Sequence, residues 1–405
     1  MTLAVRATAL VVTVAGLACA RQGNPSGGPA DTIPPVVIAT DPAPKSMVED
    51  LGIVVRFRFS ERVSERPARG DMNDAVLVSP RAGPVYVEPG GELIEVGIDG
   101  GLSTGLVYRF TLLPVITDLF GNVMREPFEL VLSTGAPLIE DALAGQVVDR
   151  VTGRPVQGVE VTLEPFSPMP DTVVYVSRSD AAGLFVFRYV PPARYNLIAF
   201  EDRNRNLAPD LREPFGRRGV LLNENDTLLA DVTILEPDTS AAQLVRAEVV
   251  DSSTLRLVFS DYLDPESVGT VVVSLGAPEG EAMSQVIQVL HPTVWEAQND
   301  SAGVGDAGPS VPGERVLRPG ETVTVSGQER GGLPRGVPLP RQEVIVTLAS
   351  PLSVAVPYQL LVTDVVNINL IPLGRGEATV MRSSSPDSIG SQPDTTQVGL
   401  SARPR

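Results

Sequence analysis

A run of oxygen-bearing side chains between Asp202 and Glu213 has the spacing of a calcium-binding loop. Acidic and amide residues stand at relative positions 1, 3, 5, 9 and 12 of this stretch, and Ca²⁺ takes six to eight oxygen ligands from such alternating positions. A glutamate at the last position can bind through both oxygens, and a backbone carbonyl serves position 7. The sequence therefore predicts a structural calcium site formed by Asp202, Asn204, Asn206, the carbonyl of Ala208, Asp210 and Glu213.

Two residues of this stretch argue against calcium. Leu207 occupies position 6, where glycine normally permits the sharp turn, and Pro209 stiffens position 8. The alternative is a solvated, asparagine-rich loop whose acids are offset by Arg203, Arg205 and Arg212. Both interpretations remain open from the sequence. A bound calcium ion would pin the loop near a domain edge.

The only cysteine, Cys19, ends an apolar N-terminal stretch. One charge, Arg6, precedes apolar and small residues over 7–18, a run too short to span a bilayer and typical of a secretory signal. Residues 15–19 resemble a bacterial lipobox, in which the cysteine is lipidated and becomes the mature N-terminus, although Gly16 stands where leucine is usual. Ordinary signal cleavage beside a chance cysteine is the alternative.

The lipobox resemblance implies a signal peptide over 1–18, a covalent lipid on Cys19 and a polar linker over 19–30. Ala20, rather than aspartate, follows the cysteine, which by analogy implies sorting to the outer membrane. We therefore expect an outer-membrane lipoprotein that faces the cell surface or the periplasm and reaches the membrane through its lipid.

The composition excludes several other kinds of site. The 405 residues include one histidine and one cysteine, so neither a His/Cys zinc site nor a disulfide framework can form within the chain. Lys45 is the only lysine and lacks the sequence context of a phosphate-binding loop. The net charge of −17 argues against a nucleic-acid partner. His291 is isolated, and we expect it to serve packing or to lie at the surface.

Short β-strand patterns dominate after residue 20, and no long apolar period of 3.6 residues occurs. The runs are rich in valine, isoleucine and phenylalanine, several alternate polar with apolar residues, and Gly, Pro, Asn or Asp bound them. They predict an all-β protein, a string of antiparallel β-sandwiches, with strands near 52–59, 107–112, 173–176, 255–259 and 343–348. The Ser-, Pro- and Thr-rich tail over 383–405 predicts disorder.

Two parts of the chain repeat each other. The sequence 59–61 (Phe-Ser-Glu) is matched by 259–261 (Phe-Ser-Asp), and Leu-Ser-x₄-Tyr occurs at 102–108 and again at 352–358. The first copy also has Asp-x-x-Pro-Pro at its entry, Asp-Leu-Phe-Gly-Asn at 118–122 and Ser-Thr-Gly at its exit. With these motifs it resembles the SbsA-type bacterial Ig-like domain, which implies such a domain over residues 31–138.

The second copy is a divergent Ig-like domain over 238–382. It has Asp-Val-Val-Asn at 364–367 where the first copy has its Gly-Asn turn. An insert over about 297–342, rich in Gly, Pro and polar residues, predicts a flexible loop. Asp118 and Asp364, near the ends of their strands, are interpreted as turn-forming residues.

The stretch over 139–237, between the two copies, has its own ordered series of motifs. Thr-Gly and Asp-x-x-Gly sequences favour turns, while Val, Phe and Tyr alternate between them. The motifs are Gly145-Gln146-Val147-Val148-Asp149, Thr152-Gly153-Arg154-Pro155-Val156, Asp180-Ala181-Ala182-Gly183 and Val190-Pro191-Pro192. The series is similar to carboxypeptidase-regulatory-like, transthyretin-like β-sandwiches, and this resemblance implies a non-catalytic module that accompanies other domains.

Together these features predict a non-enzymatic envelope lipoprotein that presents Ig-like sandwiches for structural or adhesive contacts with a protein or a glycan. The alternative is an accessory subunit of an outer-membrane uptake or secretion system that binds carbohydrate or protein cargo. A hydrolase would need a pair of acids facing one cleft, which the resemblances do not imply. The expected bound groups are a structural Ca²⁺ and the lipid on Cys19.

Overall fold

The protein is all-β, built from mainly antiparallel sheets that pack face to face as sandwiches. A computed structural model describes residues 30–139, 141–166, 173–224, 226–280, 284–300 and 338–383. Cys19, the predicted signal peptide, nearly all of the predicted tail and most of the predicted insert lie outside the described residues. In the part that is described, no helix is both long and apolar enough to cross a membrane.

The first sandwich encloses a core in which Phe57, Phe59, Tyr108 and Phe110 are almost fully buried. Its strands are β1 (Val37–Asp41), β2 (Val55–Phe59), β3 (Val76–Ser79), β4 (Val85–Gly90), β5 (Leu93–Ile98), β6 (Val107–Leu112) and β7 (Phe128–Ser133). One sheet has the order β1-β2-β5-β4 and the other the order β3-β6-β7. This division of seven strands is that of a constant-type immunoglobulin domain. Strand β2 alternates buried and exposed residues because only one of its faces lies against the core.

The second sandwich has a separate core that includes Leu163, Phe187 and Tyr195. Its strands are β8 (Ala142–Asp149), β9 (Glu160–Pro165), β10 (Tyr175–Arg178), β11 (Leu184–Arg188), β12 (Ala193–Phe200), β13 (Phe215–Leu222), β14 (Thr227–Leu229) and β15 (Val232–Ile234). One sheet has the order β10-β9-β12-β13. In the other, β11 pairs with β8, and β14 and β15 both pair with β8 in parallel. Strands β12 and β13 form the hairpin that carries the candidate calcium loop.

The third sandwich repeats the topology of the first. Its strands are β16 (Leu244–Asp251), β17 (Thr254–Phe259), β18 (Val272–Gly276), β19 (Val286–Leu290), β20 (Glu343–Leu348), β21 (Pro357–Val365) and β22 (Gly374–Met381). The sheets have the orders β16-β17-β20-β19 and β18-β21-β22, so each strand takes the place of its counterpart in the first sandwich. A single turn of 3₁₀-helix precedes the third strand in both, at Asn73–Ala75 and Val268–Thr270.

The repeated Leu-Ser-x₄-Tyr sequence has a structural cause. The backbone N–H of Ser103 donates to Tyr108 Oη at 2.9 Å, and that of Ser353 donates to Tyr358 Oη at 3.1 Å. Both tyrosines stand at the start of the sixth strand of their sandwich, and both rings are buried. The phenol therefore fixes the chain that enters the strand, as in the tyrosine corner of immunoglobulin domains.

Three features of the third sandwich bear on predictions made from the sequence. A helix, α1 (Pro292–Asp300), covers residues 297–300, so the start of the expected loop is helical. Asp364 forms no turn, because it lies inside β21 at an irregularity in its pairing with β22. His291 is buried beside Thr293 Oγ1, 2.9 Å from its Nδ1, which confirms a packing role.

Candidate functional site

The predicted calcium ligands lie in the loop that joins β12 to β13. The two strands are paired up to Phe200 and Phe215, so the neck of the loop is closed by a regular antiparallel ladder. Residues 203–209 are exposed, while Asp202 and Asp210 are half-buried at either side. The hairpin thus holds both ends of the loop and brings the first predicted ligand close to the last one.

Side-chain oxygens in the first half of the loop turn inward onto the loop's own backbone. Asp202 accepts from the N–H of Asn206 through Oδ1 and from the N–H of Leu207 through Oδ2, both at 3.0 Å. Asn204 Oδ1 accepts from the Asn206 N–H at 2.9 Å, and Asn206 Oδ1 accepts from the Ala208 N–H at 2.9 Å. Three predicted ligand side chains are therefore already bonded to the loop's own backbone.

The second half of the loop contributes two acids. Asn204 Nδ2 donates to Asp210 Oδ2 at 3.2 Å, which ties the two halves together. Glu213 is only 3% exposed, and its Oε1 accepts from the backbone N–H groups of Arg203 and Asn204 at 2.8 and 3.2 Å. Its Oε2 is buried with no hydrogen-bond partner. An ionised carboxylate oxygen in that position lacks the partner that buried charges normally have.

Leu207 adopts the backbone conformation that glycine usually provides at position 6 of such a loop. Its φ is 60°, and that of Arg205 is also 60°, so both adopt the left-handed conformation that favours glycine. The turn expected of glycine at position 6 is thus made by leucine, at a cost of about 1 kcal/mol or more per residue held there.

The arginines of the loop do not neutralise its acids. Arg203 forms ion pairs with Glu201 and with Glu236, both at 3.0 Å, and Arg205 pairs with Asp74 of the first sandwich at 3.5 Å. Among the residues that the structure describes, no ion pair joins these arginines to Asp202, Asp210 or Glu213. Direct ion pairs thus do not join the loop's acids to its arginines in the described part of the chain, and the calcium loop and the solvated loop both stay predictions.

The donor set therefore fits a hard cation. All of the predicted side-chain ligands present carboxylate or amide oxygens, the atoms that Ca²⁺ prefers, and one of these atoms, Glu213 Oε2, is buried without a hydrogen-bond partner. The carbonyl of Ala208 stays a predicted ligand. The carboxylates of Asp202, Asp210 and Glu213 are not among the described groups whose oxygens lie within 4.8 Å of one another, so binding requires the loop to contract.

The loop lies against the junction of the first two sandwiches. At this junction the edge strand β3 meets the edge strand β10: the Val176 N–H donates to Ser79 Oγ at 3.0 Å, and the Arg81 N–H donates to the Val174 carbonyl at 2.8 Å. The Arg81 guanidinium contacts Glu160, whose side chain is 4% exposed.

Two arginines oppose the effect of burial on the pKa of Glu160. Burial raises the pKa of Glu160, and the charges of Arg81 and Arg178 oppose that shift. Arg178 Nη2 is 3.8 Å from the carboxylate, so Arg81 is the closer partner. Another arginine, Arg109 of β6, is 5% exposed and donates across the junction to the Val186 carbonyl at 3.0 Å.

A cluster of three acids in the first sandwich was not foreseen as a cluster. Oxygens of Asp31, Glu61 and Asp118 all lie within 4.8 Å of one another. Among the described residues no other group of three or more acidic, histidine or cysteine ligands is this close. Asp118 Oδ1 accepts from the N–H groups of Phe120 and Asn122, both at 2.8 Å, which confirms its turn-forming role. The signal in the sequence was that Asp31, Glu61 and Asp118 all belong to its ordered motifs.

The third sandwich has the same arrangement with one acid replaced. The Ser240 N–H bonds to Asp238 as the Ile33 N–H bonds to Asp31, and Asn367 pairs with Leu263 as Asp118 pairs with Val63. Asn367 Nδ2 donates to Asp261 Oδ2 at 2.7 Å. The Asn367 amide therefore occupies the position of the Asp118 carboxylate in the first sandwich, and it forms a hydrogen bond there.

We expect Glu61→Gln to stabilise the protein at neutral pH in the presence of EGTA. Partial burial and then the charges of Asp118 and Asp31 raise the pKa of Glu61. A raised folded-state pKa adds stability that is fully present below the unfolded pKa and is lost as the pH rises through the folded one. The variant lacks this loss, so its melting temperature at pH 7 should exceed the wild type's by about 2 °C.

The control for this prediction is Glu65→Gln, which changes an exposed glutamate of the same segment for which no such cluster exists. Thermal melts of both variants between pH 3 and pH 8 make the comparison. An equal gain in both variants, or a gain for Glu61→Gln that persists below pH 4, would show that the three acids do not repel one another.

The described part of the chain thus defines a class of protein, an all-β string of sandwiches in which the first and third share the immunoglobulin strand order. No family model matches the chain, and no curated protein sequence matches it.

Some solved structures are similar to it. BcpA, the major pilin subunit of Bacillus cereus, is 11% identical, covering 50% of this chain and 70% of the pilin, with a TM-score of 0.18. The N-terminal part of the bacterial S-layer protein SbsC is 12% identical, covering 48% of this chain and 45% of that one, with a TM-score of 0.19. The FN1–FN3 domains of chicken CNTN1 are 12% identical, covering 84% and 99%, with a TM-score of 0.16. Scores this low assign no function, and the sandwich fold rests on the strand pairing described above.

Proposed function

We propose that the protein is a non-enzymatic structural component of the bacterial envelope, a string of sandwiches held at the outer membrane by a lipid on Cys19 and stabilised by calcium in the loop over 202–213. The observation that carries the proposal is the junction of β3 with β10. Backbone, hydroxyl and guanidinium groups join the two sandwiches there. A contact of this kind would keep the two sandwiches in a fixed arrangement, as a structural protein under mechanical force requires.

The domain families belong to the same proposal. The first and third sandwiches are SbsA-type Ig-like domains, supported by their shared strand order and by the tyrosines that anchor their sixth strands. The second is a carboxypeptidase-regulatory-like sandwich, supported by its turn motifs: Asp180 Oδ1 accepts from the N–H groups of Ala182 and Leu184, both at 2.8 Å. These modules would present their surfaces to a protein or glycan partner.

The calcium site is the second part of the proposal. Asp202, Asp210 and Glu213 would hold the ion together with the amide oxygens of Asn204 and Asn206 and the carbonyl of Ala208. When bound, the ion supplies positive charge to the buried Glu213 and cross-links the two halves of the loop. Its role is structural, because Arg205 and Leu207 of the loop contact the first sandwich.

Detergent partitioning of the full-length protein tests the anchor. We expect the wild type to enter the detergent phase and Cys19→Ala to remain in the aqueous phase, because one acyl chain adds about 0.8 kcal/mol of membrane affinity per buried CH₂ group. Ala20→Asp is the matched variant: it should stay lipidated but move to inner-membrane fractions. A Cys19→Ala protein that still partitions into detergent would remove the lipid from the proposal.

A further inference from the structure

The candidate calcium loop contacts the first sandwich through two of its residues. Arg81 Nη1 donates to the carbonyl oxygen of Leu207 at 2.9 Å, and Arg205 Nη1 lies 3.5 Å from Asp74 Oδ2. Asp74 is in the helical turn before β3, and Arg81 follows the end of that strand. The loop therefore contacts residues that flank both ends of the edge strand through which the first sandwich meets the second.

Arg81 belongs to the loop contact and to the junction at once. The guanidinium that donates to Leu207 also contacts the buried carboxylate of Glu160, and the backbone N–H of Arg81 donates to Val174. Glu160 lies opposite Phe200 in the pairing of β9 with β12, two residues before the first predicted ligand. One side chain thus connects the loop, the core edge of the second sandwich and the first sandwich.

Of the two loop residues that contact the first sandwich, Leu207 also has a backbone hydrogen bond to a predicted ligand. The Leu207 N–H donates to Asp202 Oδ2 at 3.0 Å while its carbonyl accepts from Arg81. Arg205 and Leu207 both hold a φ of 60°, a conformation that persists only where the surroundings fix it. A cation drawing Asp202 inward would act on the N–H of the same residue whose carbonyl accepts from Arg81.

From these contacts we infer that cation binding in the loop over 202–213 and closure of the junction between the first and second sandwiches are coupled, so that calcium sets how rigidly the two sandwiches are joined. This inference rests on the calcium site proposed above. The contact of β3 with β10 is closed in the structure, with Arg81 in contact with both Leu207 and Glu160, and the coupling requires that it open when the loop loses its conformation.

Coupling of this kind is reciprocal. If calcium strengthens the junction by some factor, then breaking the junction must weaken calcium binding by the same factor. Couplings between protein sites typically lie between about 5-fold and 150-fold, and we expect about 10-fold here, because one guanidinium and one surface ion pair transmit the effect.

Hydrogen-exchange rates of the full chain, measured in CaCl₂ and in EGTA, report on the loop and on the junction separately. The loop is read by the N–H groups of Asn204 and Asn206, which bond to Glu213 and Asp202. The junction is read by the N–H groups of Val176 and Arg81, which bond across it. We expect calcium to slow exchange in both sets, by about 10-fold at the junction.

The two sets separate failure of the site from failure of the coupling. If calcium protects neither set, the proposed calcium site is wrong and the coupling falls with it. If calcium protects the loop but leaves Val176 and Arg81 unchanged, the site stands and the coupling is overturned.

Variants test the reciprocal direction by calcium titration. Arg81→Met should weaken calcium binding by about 10-fold although Arg81 is not a predicted ligand, and Arg205→Ala, a milder change that keeps the buried pair, should weaken it less. Arg58→Met, an exposed arginine of β2, should leave the affinity unchanged. Equal affinity in all three variants and the wild type overturns the inference, and Arg205→Ala alone decides it if Arg81→Met does not fold.

Discussion

Arg81→Met is expected to destabilise the protein by about 3 kcal/mol at pH 7, the low end of the effect of removing one partner of a buried ion pair, because the Arg81 side chain is itself 31% exposed. The substitution leaves the carboxylate of Glu160, 3% exposed, with Arg178 alone, 3.8 Å away. It also leaves the Leu207 carbonyl without its donor. Differential scanning calorimetry of the full chain measures the effect.

The pH dependence of this loss separates charge from packing. Burial already raises the pKa of Glu160, and Arg81 is the main group that opposes the shift. Without Arg81 the folded-state pKa rises further, so stability is retained below the unfolded pKa and lost as the pH rises through the folded one. The deficit of Arg81→Met should therefore shrink toward pH 4.

Two further proteins control this measurement. The double variant Arg81→Met/Glu160→Gln should recover much of the lost stability at pH 7, because no uncompensated charge remains buried. Arg58→Met removes an exposed arginine and should change stability by less than about 0.5 kcal/mol. If Arg81→Met behaves like Arg58→Met, the junction does not depend on this ion pair.

Calcium is expected to stabilise the protein against heat. A ligand at about 100 times its dissociation constant stabilises a folded protein by about 2.7 kcal/mol, which corresponds to a rise of about 10 °C in the melting temperature of a domain of about 100 residues. Extracellular calcium sites commonly have dissociation constants of about 0.1–1 mM, so 10 mM CaCl₂ against EGTA is a suitable comparison. Mg²⁺ should give little of this rise, because it demands near-ideal octahedral geometry and keeps its waters.

Glu213→Gln should abolish the calcium-dependent rise. The change keeps the shape of the side chain but removes the charge of the buried carboxylate whose Oε2 has no partner. Glu201→Gln alters a neighbouring glutamate that pairs with Arg203 and should keep the full rise. Because each protein is compared with itself in the two buffers, a change in baseline stability does not affect the test.

Local sequence patterns predicted the strands well. The runs over 107–112 and 343–348 are β6 and β20 without change of boundary, because valine, isoleucine and phenylalanine in short runs between turn residues leave few alternatives to a strand. The Phe-Ser-acid and Leu-Ser-x₄-Tyr repeats predicted related sandwiches, since their side chains bond to matching backbone groups in the two copies. Ser60 and Ser260 each accept through Oγ from the backbone N–H just before the first strand of their sandwich, and the two tyrosines accept from the serine N–H groups. Helix α1 was not predicted because its nine residues carry no clear apolar period.

Contacts between distant parts of the chain could not be predicted from local patterns. Arg81 and Glu160 are 79 residues apart, and neither lies in a motif that indicates a partner. The meeting of Asp31, Glu61 and Asp118 depends on how three separate segments close one end of the sandwich. The left-handed conformation of Leu207 ran against its residue type, because the hairpin neck and the inward side chains of Asp202 and Asn206 fix the turn whatever residue occupies it.

The claim that the loop over 202–213 binds calcium is tested most directly by isothermal titration of CaCl₂ into the full chain and two variants. We expect the wild type to bind calcium, Glu213→Gln to lose this binding, and Glu61→Gln, which disrupts the other acidic cluster, to retain it. Binding that survives Glu213→Gln but disappears in Glu61→Gln, or no binding to the wild type at 10 mM CaCl₂, would contradict the assignment of the site to this loop.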